Sequence, residues 1–164
     1  MHYDSEDTGC GISCAVNLAI RHNWEHELSD DDQVVMAIEG HWKTYSLVIR
    51  QVEADNTLRF LCVYRISSEK INDGIYDLLN RINDLLWIGS IVFTYCGDES
   101  SIFWRYALQL GPEPAVNEEQ VETIINQAIE TMDKFYPTLM SLLAGDTDPE
   151  RAIALATPAS IGRA

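Results

Sequence analysis

The sequence is short of positive charge. Eleven lysines and arginines stand against 26 aspartates and glutamates, giving a formal net charge of −15 over 164 residues. So acidic a surface repels phosphate backbones and anionic headgroups, so neither nucleic acid nor a membrane surface is expected as a partner. It suits a protein that meets basic or exposed polypeptide segments, and it also serves solubility alone. Long apolar runs are missing too. None approaches the roughly 20 residues that span a bilayer. The acidic start, MHYDSEDTG, has neither the basic stretch nor the apolar stretch of a secretory signal. These absences predict a cytoplasmic protein whose four cysteines are free thiols rather than disulfides. Phosphate-cradling glycine loops and nucleophile elbows are absent as well.

What is there reads as one domain, long enough to bury a core without metal or disulfide support. Ile12, Val16 and Ile20 lie four apart and predict a short amphipathic helix. The period then changes to two. Val34, Met36 and Ile38 alternate along one predicted strand, Tyr45, Leu47 and Ile49 along a second, and Phe60, Cys62, Tyr64 and Ile66 along a third. Gly40-His41 suits a two-residue hairpin and Asp55-Asn56 the next turn, while WEHEL can add a short edge strand ahead of the Asp30–Asp32 turn. Ser68 is placed to cap a helix carrying Ile71, Ile75, Leu78, Leu79, Ile82, Leu85 and Leu86.

That helix is expected to stop at Gly89, as a left-handed residue just past its end, with Trp87 closing the core there. Ile91, Phe93 and Tyr95 then alternate, as do Trp104, Tyr106, Leu108 and Leu110 beyond a GDESS turn. Asn117 and Gln120 resemble a capping box for a long helix bearing Val121, Ile124, Ile125, Ala128, Met132, Phe135 and Leu139. Pro137 is expected to kink or break it. Asp148-Pro149-Glu150 opens a last short helix, and the tail from Pro158 on should fray.

Chemistry-bearing residues are present without the spacing that chemistry needs. Cys10, Cys14, His22 and His26 are zinc-ligand types, but a largely helical segment separates Cys14 from His22 by roughly 12 Å along its axis. Asp146, Asp148 and Glu150 alternate like calcium ligands, yet Pro149 interrupts them and helix capping explains them better. Cys62 and Cys96 are the candidate nucleophiles, with His41 as a base. Cys62 sits inside an alternating strand, where a buried inert thiol is expected. No catalytic residue, metal or cofactor is therefore expected. Arg59, Leu61, Val63 and Arg65 take the face opposite Phe60 and Cys62, and Leu61 and Val63 are too apolar for a fully solvated surface. Either another chain or the helix after Pro137 should pack on them.

The stretches GHWKTYSLVIR, LLNRINDLLWIGSIVF, FWRYALQL, KFYPTL and DPERAIALA resemble the YbjN family, which carries the name "putative bacterial sensory transduction regulator". The resemblance covers residues 24–157 of a single domain spanning 1–164, with an N-terminal helix in 1–23 and a frayed tail in 158–164. It implies an α+β fold similar to type III secretion chaperones: an antiparallel sheet with helices packed on it, in the order α-β-β-β(-β)-α-β-β-α-α. Those chaperones are acidic homodimers that hold segments of other proteins without turnover. The expectation is thus a non-enzymatic, homodimeric protein-binding domain, a regulator or chaperone-like adaptor. The alternative is a small-molecule or metal sensor.

Overall fold

Alternating side chains give the sheet a filled face and an open one, and the filled face sets the architecture. The structure, a computed structural model, describes residues 10–30, 32–67, 73–96, 99–113 and 115–157, except for the side chain of Cys96. The elements run α1 (Gly11–Arg21), β1 (Glu25–Asp30), β2 (Gln33–Glu39), β3 (Thr44–Val52), β4 (Thr57–Ser67), α2 (Gly74–Leu85), β5 (Ser90–Cys96), β6 (Glu99–Gln109), α3 (Glu118–Leu143) and α4 (Pro149–Ala156). The six strands among the described residues are antiparallel, in spatial order β1-β2-β3-β4-β6-β5. Met36, Leu47, Cys62 and Trp104 fall in adjoining registers and join helix side chains in one core.

The expected α+β order holds, with Glu25 to Leu28 of WEHEL opening β1 and Trp24 just ahead of it. Several local expectations do not. On α1 the buried stripe is Ile12, Ala15, Leu18 and Ala19, while Ile20 is 62% exposed. The small alanines let α1 lie close against the sheet. The β2–β3 connection is a four-residue loop, Gly40 to Lys43, closed by a bond from Gly40 N–H to the Lys43 carbonyl (2.8 Å). Gly40 is needed there for close approach: a Cβ would lie 2.7 Å from Asp133 Oδ1. Asn56 takes the left-handed position of the next turn, φ 53°. Ser68, Ile71 and the tail from Pro158 lie outside the described residues, and α2 begins at Gly74.

The corner after α2 departs most from expectation. The helix stops at Leu85, Leu86 is already extended, and Gly89 (φ 71°) stands just before β5 rather than directly past the helix end. Trp87 is 98% exposed and closes nothing. Trp104 of β6 fills the space instead, fully buried, its ring so close to Gly89 that a Cβ would come within 2.6 Å of Cζ2. Its indole N–H donates to the Ile88 carbonyl (3.3 Å). Asn83 secures the same corner: its side-chain amide donates to the Ile91 carbonyl (2.9 Å) and its oxygen accepts from the Ile91 N–H (2.8 Å). A side chain thus stands where a further strand would pair.

Pro137 does not break α3, which continues to Leu143. The proline withdraws one backbone donor, at a cost of roughly 3 kcal/mol, but Phe135, Leu139 and Leu142 remain buried on one continuous stripe. Each such side chain contributes about 1.5–3 kcal/mol, enough together to offset that loss. Asn117 Oδ1 accepts from the Gln120 N–H (2.7 Å) at the start of α3. Its end is a Schellman turn at Gly145 (φ 79°), with Asp146 N–H to Ser141 O and Gly145 N–H to Leu142 O. Asp148 Oδ1 accepts from the Arg151 N–H (2.9 Å) to cap α4, as expected.

Candidate functional site

The open face of the sheet gathers the apolar surface that the core does not use. Val35, Val48 and Leu61 lie side by side across β2, β3 and β4. Val63, Phe103 and Val92 do so across β4, β6 and β5. All six are half-buried, and none belongs to the core cluster that joins the opposite face to α1, α2, α3 and α4. The helix after Pro137 therefore does not cover Leu61 and Val63; Leu139, Leu142 and Leu143 point into that core. The expected interaction residues Leu61 and Val63 sit at the centre of this band.

Arginines frame it. Arg50 and Arg59 are direct cross-strand neighbours, and Arg105 lies opposite Leu61. Arg65 lies two residues beyond Val63 on the same face of β4. Like charges directly opposite repel, and carboxylates offset this: Asp32 stands 3.7 Å from Arg50, and Asp55 pairs with Arg59. The Thr57 hydroxyl, which donates to Asp55 (2.6 Å), and the Arg59 guanidinium hold the Asp55 carboxyl below its usual range. Arg65 meets Glu99 at 3.5 Å, and Arg105 Nε reaches Ser90 Oγ at 3.4 Å. Between Arg59, Leu61, Phe103 and Arg105 lies an open cavity of about 530 Å³. In a chain of net charge −15, this apolar floor bounded by guanidinium groups differs from the acidic surface at large.

The zinc-type residues are not brought together. Cys10 Sγ meets Gln51 Oε1 (3.0 Å), Cys14 Sγ donates to the Val116 carbonyl (3.3 Å), His22 Nε2 lies 2.6 Å from Glu122, and His26 Nδ1 lies 3.0 Å from the Trp24 carbonyl. Among the described residues no group of three or more His, Cys, Asp or Glu side chains converges. Cys62 is fully buried, and burial pushes its thiol up to about 12. It therefore stays protonated and a poor nucleophile near neutral pH. His41 offers its backbone N–H to Asp133 (2.7 Å), and its ring stands perpendicular to that of Trp42. The Cys96 side chain lies outside the described residues.

A sequence model of the YbjN family, described as "Putative bacterial sensory transduction regulator", matches residues 17–140. The chain belongs to the YbjN family. The crystal structure of YbjN, "a putative transcription regulator from E. coli", is similar in fold: TM-score 0.54 at 12% identity, covering 82% of this chain and 90% of that one. No curated protein matches the sequence. The YbjN match begins inside α1 and ends within α3, so α4 lies beyond it. Among the described residues no helix is long and apolar enough to cross a membrane.

Sequence reasoning placed Leu61 and Val63 on this YbjN-family sheet but missed the rest of the open face. Val35, Val48, Val92 and Phe103 each carry an alternation signal, but only register shows that they form one band. Asp133 was missed as well. It accepts from the Tyr45 hydroxyl (2.8 Å) and from the backbone of the β2–β3 loop, pinning that loop to α3. Burial and the bond to Asp133 push the Tyr45 phenol well above its ordinary range.

Proposed function

We propose that this YbjN-family chain is a non-enzymatic, protein-binding regulatory domain that holds an extended segment of another protein on its open sheet face. The observation carrying this reading is the half-buried band of Val35, Val48, Leu61, Val63, Phe103 and Val92 between arginines, outside the core. The partner segment it fits presents apolar side chains to the band and a carboxylate to Arg105, which meets Ser90 Oγ where Arg50 and Arg59 already meet Asp32 and Asp55. Such contacts are worth most where the arginines frame surface that binding dries. A protonated, buried Cys62 agrees with a role that needs no nucleophile.

The test is affinity capture from the host with the wild-type chain and with Leu61→Asp/Val63→Asp. Both residues are half-buried and outside the core, so the variant should keep its circular dichroism spectrum. Proteins held by the wild type should be lost from the folded double variant. An identical set retained by both removes the open face from the function.

A further inference from the structure

The corner between α2 and β5 carries an exposed knob beside a groove. Trp87 is 98% exposed, and its neighbour Ile88 is 47% exposed. Ile88 lines a groove of about 480 Å³ together with Tyr106 of β6 and residues from the start of α3, among them Glu119, Gln120, Thr123 and Ile124. Its lining combines the apolar side chains of Ile88 and Ile124 and the Tyr106 ring with the amides of Gln120 and Gln127, the Thr123 hydroxyl and the Glu119 carboxylate. That suits an indole, which wants apolar contact for its rings and an acceptor for its N–H. From Leu85 to Cys96 the sequence has no charged residue.

From these features we infer that two copies of the chain meet at this corner, each seating its Trp87 in the groove of the other. Two arguments select a second copy as the occupant. The knob is adjacent in sequence to a residue of the hole, so a two-fold axis beside the corner places both knobs in both holes at once. Such an interface is closed and self-complementary, and it stops at a dimer. The second argument is charge. Two chains of net charge −15 repel wherever their carboxylates approach, and they can touch with least opposition where charge is sparse. The uncharged run from Leu85 to Cys96 is such a place; among the described residues lining the groove Glu119 carries the charge, while its neighbours Glu118 and Glu122 are paired with Arg21 and His22. This inference uses a different surface from the open face and does not depend on it.

Sedimentation equilibrium of the full chain from 1 to 100 µM, beside Trp87→Ser, Thr123→Glu and Leu155→Ser, tests it. The wild type should dimerise within this range. Trp87→Ser should weaken the dimer on the order of thirtyfold, as for a central tryptophan anchor. Thr123→Glu, which places a carboxylate in the groove, should weaken it too. Leu155→Ser, on the exposed side of α4, should not. Acrylamide quenching gives an independent readout: the emission lost in Trp87→Ser should be quenched freely in dilute wild type and shielded in concentrated wild type. A wild type that stays monomeric at 100 µM overturns the inference. So does a dimer that survives Trp87→Ser, or one that only Leu61→Asp/Val63→Asp dissociates, which would place the second copy on the open face.

Discussion

Replacing Gly89 with alanine should be among the most damaging single-methyl changes in this chain, although the residue lies at the surface end of a corner. Two costs add. At φ 71° an L side chain enters the left-handed region, which costs roughly 1–2 kcal/mol. The new Cβ would also lie 2.6 Å from Trp104 Cζ2, and that ring is fully buried and cannot swing out. Forcing it aside is an overpacking change of about 1–3 kcal/mol. Together these give about 2–5 kcal/mol, which lowers a urea midpoint by on the order of 1–2 M at a typical slope. Trp104→Phe separates the two costs. Its smaller ring should relieve the steric part, so Gly89→Ala with Trp104→Phe should be less than additive by roughly the overpacking share. Equilibrium denaturation of the four proteins, followed by far-ultraviolet circular dichroism, provides the measurement. A Gly89→Ala midpoint equal to wild type refutes the close approach, and strict additivity refutes the assignment of the strain to Trp104.

Tyr45 and Tyr64 are both buried phenols, with opposite expectations. The Tyr45 hydroxyl donates to Asp133 (2.8 Å), so Tyr45→Phe should cost about 1.5–3 kcal/mol. Tyr64 Oη has no partner among the described residues, so Tyr64→Phe should be neutral or stabilising in a thermal melt. A larger loss in Tyr64→Phe than in Tyr45→Phe would contradict this. Cys62 makes stability fall in alkali: its thiol moves from an ordinary 9.0 to about 12 in the fold. The folded chain then binds more protons than the unfolded one between those values. The contribution of Cys62 is fully present below about pH 9 and is lost as pH rises to about 12. Denaturation midpoints between pH 8 and 11 should decline more steeply in wild type than in Cys62→Ala, and parallel declines would remove Cys62 as a cause.

The strands and the α3 stripe were legible because they answer to a short-range rule. Residues of one parity, or of one helical stripe, are buried together, and from Val34 to Leu47 and from Val121 to Leu139 they are. What stayed hidden depends on contacts between distant segments. Trp87 and Trp104 flank the same corner, and nothing local tells which ring is buried; the approach of β6 to Gly89 decides it. Pro137 carries a local rule against helix continuation, and burial on both sides of it prevails. The four-residue loop after β2 is held by Asp133, 92 positions away from His41. The open face was half legible for the same reason: the alternation of β4 exposes Leu61 and Val63, but their neighbours on β3 and β6 become a surface only once the strands are in register.

The placing of β6 between β4 and β5 also constrains how the chain reaches this state. Strands β1 to β4 form by successive local turns, and β5 with β6 by another, but the β4–β6 ladder must join segments 32 residues apart at Ser67–Glu99 and 52 apart at Thr57–Gln109. Closing the shorter loop first costs less chain entropy, and each later pair then adds with little further loss. Zipping should therefore start at the Ser67–Glu99 end and run toward the Asp55-Asn56 turn, making this ladder the slow, non-local step of folding. Until it closes, the apolar faces of a four-stranded meander and of a separate hairpin are both open to solvent. The long acidic chain around them then has a kinetic value, keeping such intermediates apart while the last ladder forms.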